Sequence, residues 1–322
     1  MSLSTLRGPR RVDLRLHRPA LWTGGAVLAL ALVYIGWLRW AANAYPEPAD
    51  NCYAGKPCDT FLGFSSAREL LYTSLEYGSN GLLLLPLLIG VFVAGPVIAR
   101  EMESGVYKVS WTQSVFPARW LAAKLTTAAV LALGGTLFLM AVFQLGGWDA
   151  ISFRWNLHWA DRGVYEATGP ALAAYSLFAV AVGTLVGLVV RRTLLAMAAT
   201  GIVTGLVLWS LGNVRWHLVP VETITGPATR KGPYPTGYPA DSFAMDQGVT
   251  NAAGDRFYQG QCLPEPQPGF SCPTDTEVTG WYMEFHPRSH FWYAQLIETG
   301  ILLALTAAAV YAAFRLLRHR TA

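Results

Sequence analysis

Six apolar runs with few charges, each near the length of a bilayer-crossing helix, leave this chain little choice of fold. They cover residues 21–38, 81–99, 121–145 with Lys124 near one end, 170–190, 193–212 and 291–317. A helix needs roughly 20 apolar residues to cross the hydrocarbon core. Between the fourth and fifth runs stands only Arg191-Arg192. A single helix over both would exceed about 60 Å at ~1.5 Å per residue, so the chain turns at the two arginines. The first run has no small-residue cleavage site after it and ends in Arg39-Trp40, which makes it a retained anchor rather than a cleaved signal. Composition agrees: of 322 residues, 53% are apolar and 14% charged, against about 25% charged in a soluble domain. A disordered chain or a nucleic-acid-binding arm is excluded. The expected fold is an all-α integral membrane protein with six transmembrane helices and a large outer loop before the last span.

Basic residues orient the spans, because cytoplasmic flanks retain Lys and Arg. With the N-terminus inside, fourteen of the 24 basic residues fall in the cytoplasm beside three acids, while ten basic and sixteen acidic residues fall outside and Glu298 falls in a span. Both termini are then cytoplasmic in a multi-pass protein of the plasma membrane. The chain divides into a basic elbow at 1–20, a six-span domain at 21–317 and a tail at 318–322. Its outer loops are 40–80, 146–169 and 213–290, and its long cytoplasmic loop is 100–119. The elbow alternates Val12, Leu14 and Leu16 with charged residues, as a short interfacial helix or an ordinary positive flank would. Cys52 and Cys58 share the first outer loop and Cys262 and Cys272 the last. An oxidising exterior favours two local bridges, although four cysteines allow three pairings. Gly183 with Gly187, and Gly201 with Gly205, carry the small-residue spacing that lets helix backbones approach. Packing within one subunit is favoured over a dimer contact.

The chain lacks the Gly-rich phosphate loop with Lys and Ser or Thr that an ATPase needs. Its one Gly-Lys pair, Gly55-Lys56, is assigned outside. There is no His-Glu-x-x-His motif, and Pro287 between His286 and His290 opposes a helical pair of ligands beside Glu284. No metal site and no catalytic residue is expected.

The cytoplasmic segment 99–120 is far longer than the about two to eight residues a helix connection needs. It carries Glu101 and Glu103 among otherwise basic flanks, then Gly105, Thr112-Gln113-Ser114, Arg119-Trp120 and Lys124. This run, from Arg100-Glu101 onward, resembles the first cytoplasmic loop of ABC transporter permeases of the type-two exporter class, most nearly those of actinobacterial systems. Residues 286–300, at the start of the last span, are similar to the same permeases, as is the six-span order.

The resemblance implies a permease subunit that exports an amphipathic or apolar compound and has no ATPase of its own. It implies a separate ABC ATPase subunit holding ATP and magnesium, and a homodimer or heterodimer of permeases in the bilayer, with no nucleic acid. Arg100, Glu101, Glu103, Gly105, Gln113 and Arg119 would form the ATPase-coupling loop, the two acids facing basic or amide groups of that subunit. Phe92 and Trp209 would line the substrate path by analogy.

Glu298 lies seven residues into the last run, where an acid costs upward of ~3 kcal/mol if it sits at the centre of a span. Two readings stand: a gate carboxylate paired with an outer-loop cation, or a headgroup-level residue on a helix that starts above the membrane. The rival to a permease is a membrane sensor or scaffold binding a ligand through its outer loop. An intramembrane enzyme using Glu298 and an outer histidine lacks a paired acid or nucleophile at matching depth.

Overall fold

The structure, a computed structural model, describes residues 18–45, 61–107, 116–149, 151, 157–228, 239–258, 263–264, 270–271 and 278–321. Cys52, Cys58, Cys262, Cys272 and Gln113 lie outside the described residues, and so does most of the basic elbow.

Each apolar run becomes a helix. These are α1 (Arg18–Ala44), α2 (Ala67–Leu88) continued by a π-helical turn (Ile89–Ala94) and α3 (Gly95–Ser104), α4 (Pro117–Gly147), α6 (Ala171–Val190), α7 (Thr193–Val214) and α8 (His290–Thr321), with a short α5 (Val164–Thr168) before α6. Six stretches are long and apolar enough to cross a membrane. The second stretch, Ala67–Ser104, is 38 residues long and begins well before the apolar run at 81. Ser66 caps its start by accepting from the Glu69 N–H, and the Glu69 carboxylate accepts the Ser65 N–H in return, a reciprocal cap. At ~1.5 Å per residue it is about 57 Å long, well beyond the ~30 Å hydrocarbon core. Pro86 removes one backbone donor from this rod, and the π-helical turn follows three residues later.

Helix α6 is the centre of the bundle. Two-thirds of its apolar window (67%) is buried, against 17% for α1, α7 and α8. Its glycines explain the close approach: a Cβ at Gly183 would sit 2.8 Å from the Gly95 nitrogen, and one at Gly187 3.1 Å from the Ala99 nitrogen. Backbone therefore meets backbone between α6 and the second span. Gly201 and Gly205 instead meet side chains, a Cβ there lying 2.8 Å from a Val91 methyl and 3.4 Å from a Leu87 methyl. All four small residues are used within one subunit. On its other side α6 packs Ala171, Tyr175, Phe178 and Val182 with Leu302 and Ala309 of α8. The turn at the two arginines is present, with α6 ending on Arg191 at φ 53° and α7 starting at Thr193.

The all-α expectation is corrected by the segment between α7 and α8. There β1 (Glu222–Pro227), β2 (Phe243–Asn251), β3 (Arg256–Tyr258) and β6 (Val278–His286) form an antiparallel sheet in the order β1-β6-β2-β3, and β4 (Leu263–Pro264) pairs with β5 (Phe270–Ser271). Central strand β6 sets aromatic rings over glycines of its neighbours: Trp281 opposite Gly226 and Tyr282 opposite Gly248. The Tyr282 phenol donates to Asp246 (3.0 Å) and its ring carries the Arg256 guanidinium 4.8 Å away. Burial and that carboxylate push the phenol's pKa up to about 12. The sheet hangs between two spans. It follows α7 through a 3-10 turn (Arg215–His217), and β6 runs into α8 within four residues.

Candidate functional site

Two groups of charged side chains tie the spans together, one at each end of the bundle.

At the end opposite the sheet, helix α3 stops because Gly105 takes the left-handed conformation (φ 73°), which a glycine adopts without strain. Just before it, the Glu101 carboxylate meets Lys124 of α4 (2.6 Å) and accepts from the Trp120 indole (3.2 Å). Lys124 also lies 5.9 Å from the Trp120 ring centroid. Glu103 reaches α7, accepting the Thr193 N–H (2.9 Å) and hydroxyl (2.6 Å). It thereby caps a helix whose own N-cap, Arg192, offers no side-chain acceptor. Arg320 of α8 donates to the Leu188 carbonyl of α6 at 2.6 Å. Both acids that the resemblance assigns to a partner surface are thus engaged within the chain. What this end presents to solvent includes Arg100, Arg119, Arg191 and Arg192, with Val106 and Phe116. Arg119 stacks 5.8 Å over the Phe116 ring.

At the sheet-bearing end, three charges are buried together. Glu166 of α5, Arg215 at the start of the 3-10 turn and Glu298 of α8 are 1%, 2% and 0% exposed. Arg215 Nη2 pairs with Glu166 Oε1 and lies 3.5 Å from Glu298 Oε1. The guanidinium also stacks 4.1 Å from the Tyr165 ring centroid. Glu166 is fully served, since its Oε2 accepts the Gly163 N–H at 2.7 Å. Glu298 is not. Tyr175 of α6 donates to Oε1 at 2.5 Å, but Oε2 is buried without a hydrogen-bond partner. Three residues earlier, buried Gln295 clamps the α5–α6 junction by donating to the Tyr165 carbonyl (2.7 Å) and accepting the Ala171 N–H (3.0 Å). Burial first, then the charge of Glu298, raises the Tyr165 phenol well above its ordinary range.

Beside this cluster the sheet is rooted in aromatic contacts. Trp159, Tyr165, Trp216 and Phe291 make edge-to-face pairs with centroids 5.4–6.2 Å apart. His286 Nε2 faces the Trp216 carbonyl (3.0 Å), which can only accept, so that nitrogen carries the proton. His286 Nδ1 then accepts from His290 Nδ1 (3.1 Å). Burial holds both His158 and His286 below the ordinary histidine range. Glu284 pairs with Arg256 (2.6 Å) instead of joining the two histidines. Among the described residues no group of three His, Cys, Asp or Glu is arranged to hold a metal ion.

Glu298 is therefore inside the bundle, eight residues after the start of α8, and faces a cation from the 213–290 segment. Sequence reasoning did not single out Arg215, Glu166, Tyr165 or Tyr175. The available signal was one of position: Glu166 precedes the fourth apolar run by four residues, Arg215 follows the fifth by three, and Glu298 lies seven residues into the sixth. Alternating spans bring those three boundaries to one level. Phe92 and Trp209 lie on the second span and α7, each 63% exposed on the single chain, with no ring contact joining them among the described residues.

Six apolar helices of bilayer length define a multi-pass membrane protein. The family described as ABC-2 membrane transporter related matches residues 24–215, and the chain belongs to it. The match takes in five of the six spans and makes the chain a membrane transporter permease. No curated protein and no solved structure matches it.

Proposed function

We propose that the chain is the permease half of an ABC exporter for an amphipathic or apolar compound, of the actinobacterial type its loop resembles. It works in the plasma membrane as a homodimer or heterodimer. A separate ATPase subunit, which holds the ATP and magnesium, docks on the end formed by residues 100–119. That end is cytoplasmic with both termini, and the sheet is outside. The chain itself catalyses no reaction.

One observation carries the reading. The second span is a continuous rod whose terminal acids are fastened to α4 through Lys124 and to α7 through Thr193. A displacement imposed beside Gly105 therefore reaches three spans together. Since Glu101 and Glu103 are occupied in that fastening, docking falls to Arg100, Arg119 and Phe116, which suit an acidic and apolar groove on the ATPase. At the other end the Glu166–Arg215–Glu298 cluster acts as the outer gate, holding α5, α6, α7 and α8 together until the rods tilt. Phe92 and Trp209 face the substrate path.

The test uses the permease reconstituted with its ATPase. Glu101→Lys with Gly105→Pro should abolish substrate-stimulated ATP hydrolysis, because Pro cannot adopt a positive φ and the reversed charge repels Lys124. Unchanged stimulation would defeat the coupling assignment. The folded sheet favours one other reading, a sensor binding a ligand outside. Co-purification separates the two, since a permease brings an ATPase with it and a sensor does not.

A further inference from the structure

Within the buried cluster the charges do not balance. Glu166 and Glu298 face one guanidinium, and the remaining groups around them, Tyr165, Tyr175 and Gln295, are neutral. Leaving a net negative charge in such a place costs several kcal/mol in general, and a buried acid commonly takes up a proton instead. Which carboxylate does so follows from their partners. Glu166 has the closer contact with Arg215 and a backbone N–H on its second oxygen. Both its oxygens are stabilised as an anion. Glu298 has one phenolic donor on Oε1 and a 3.5 Å approach to Arg215 on the same atom, while its buried Oε2 has no formed hydrogen bond and the Tyr165 hydroxyl, itself unpartnered, lies beside the carboxyl. A neutral hydroxyl at that position is far less costly than a bare carboxylate oxygen.

We propose that Glu298 is a proton-binding site, carrying a proton on Oε2 at neutral pH because one guanidinium faces two carboxylates and Arg215 lies closer to Glu166. A metal or alkali cation is disfavoured as the occupant by the guanidinium at the centre of the cluster. The groups facing Glu298 come from every element packed there: Tyr175 from α6, Tyr165 and Glu166 from α5, Arg215 from the turn after α7, and Gln295 from α8 itself. When α8 parts from α6 and water enters, the proton leaves. When the cluster closes, it returns. Proton exchange then accompanies each opening of the sheet-bearing end. That consequence for the cycle rests on the permease reading, whereas the location of the proton does not.

Infrared spectroscopy of the full chain in lipid nanodiscs tests the site without any transport assay. At neutral pH the wild type should show a protonated-carboxyl carbonyl band that is lost in Glu298→Gln. It should also be lost in Glu166→Gln, where Arg215 turns to Glu298 and ionises it. Should Glu166→Gln fail to fold, Tyr175→Phe takes its place: the band remains but moves to higher frequency, because the Oε1 carbonyl loses its donor. Absence of the band in the wild type would overturn the proposal. So would its survival in Glu298→Gln or in folded Glu166→Gln, or a band unmoved in Tyr175→Phe. Glu298→Gln, which copies the protonated shape, should melt at or above the wild-type temperature. If the infrared result holds while ATP hydrolysis by the assembled transporter is indifferent to the substitution, the proton site stands and its place in the cycle falls.

Discussion

The two ends of the bundle use the same chemistry under different solvation. At each, a carboxylate from one span meets a cation from another. Glu101 keeps a quarter of its side chain exposed, although Lys124 beneath it is only 9% exposed, whereas Glu166, Arg215 and Glu298 are all withdrawn from water. Water-accessible pairs contribute about 0–1 kcal/mol, and a buried cation whose loss strands an acid is worth about 3–5 kcal/mol. One end can therefore yield to a partner at little cost. The other is specific in geometry and expensive to disturb. Such a difference suits a machine in which force enters at one end and is resisted at the other.

The largest expected effect breaks this contrast at its expensive side. Arg215→Met leaves Glu166 without its cation and should lower unfolding stability in detergent by about 3–5 kcal/mol. The triple replacement Glu166→Gln, Arg215→Met, Glu298→Gln should recover most of that loss, since no buried charge is left uncompensated. If Arg215→Met alone melts like the wild type, the cluster is not a latch. The opposite end gives the next effect. Glu101→Gln with Lys124→Met should change stability by less than about 1 kcal/mol, yet weaken coupling between ATP hydrolysis and substrate. A stability loss as large as that of Arg215→Met would erase the distinction between the ends.

Much of the membrane architecture was legible because one physical requirement, an uncharged stretch of bilayer length, acts locally along the chain. The paired arginines at 191–192 and the glycines at 183 and 187 were legible for the same reason. The second span was read short, since Arg68, Glu69 and Glu76 sit in its first turns and only its inner part lacks charge. The sheet stayed hidden. Strand β6 is buried on both faces from Gly280 to Met283, so it shows no alternation of polar and apolar residues. The buried cluster was half legible. An acid in a span attracts notice by itself, but its partners lie 83 and 132 residues away, and nothing local in the chain links them. The paired role of Glu101 was concealed similarly: a mixed-charge loop reads as a surface until Lys124 is found beneath it.

The smallest expected effect concerns how the sheet is fastened to the sixth span, through His286. Its Nε2–H donates to the Trp216 carbonyl and its Nδ1 accepts from His290, an arrangement that requires the neutral ring. Burial holds its pKa below the ordinary value, with the neighbouring His290 and His217 adding to the shift and the Trp216 carbonyl and Glu222 opposing it. The unfolded chain, at about 6.5, then binds a proton more readily than the folded one. Folding stability contributed by this group is present above about pH 6.5 and is lost as the pH falls towards the depressed folded value. Protonation sets an Nδ1–H of His286 against the donor of His290, which loosens the join between β6 and α8. Thermal unfolding followed at about pH 7 and about pH 5 should show a drop in the wild type that is smaller in His286→Gln. Because the Gln carboxamide does not titrate, an equal drop in the variant would assign the acid sensitivity to His158 or to the carboxylates. The sheet-bearing end would then owe its firmness to the buried cluster alone.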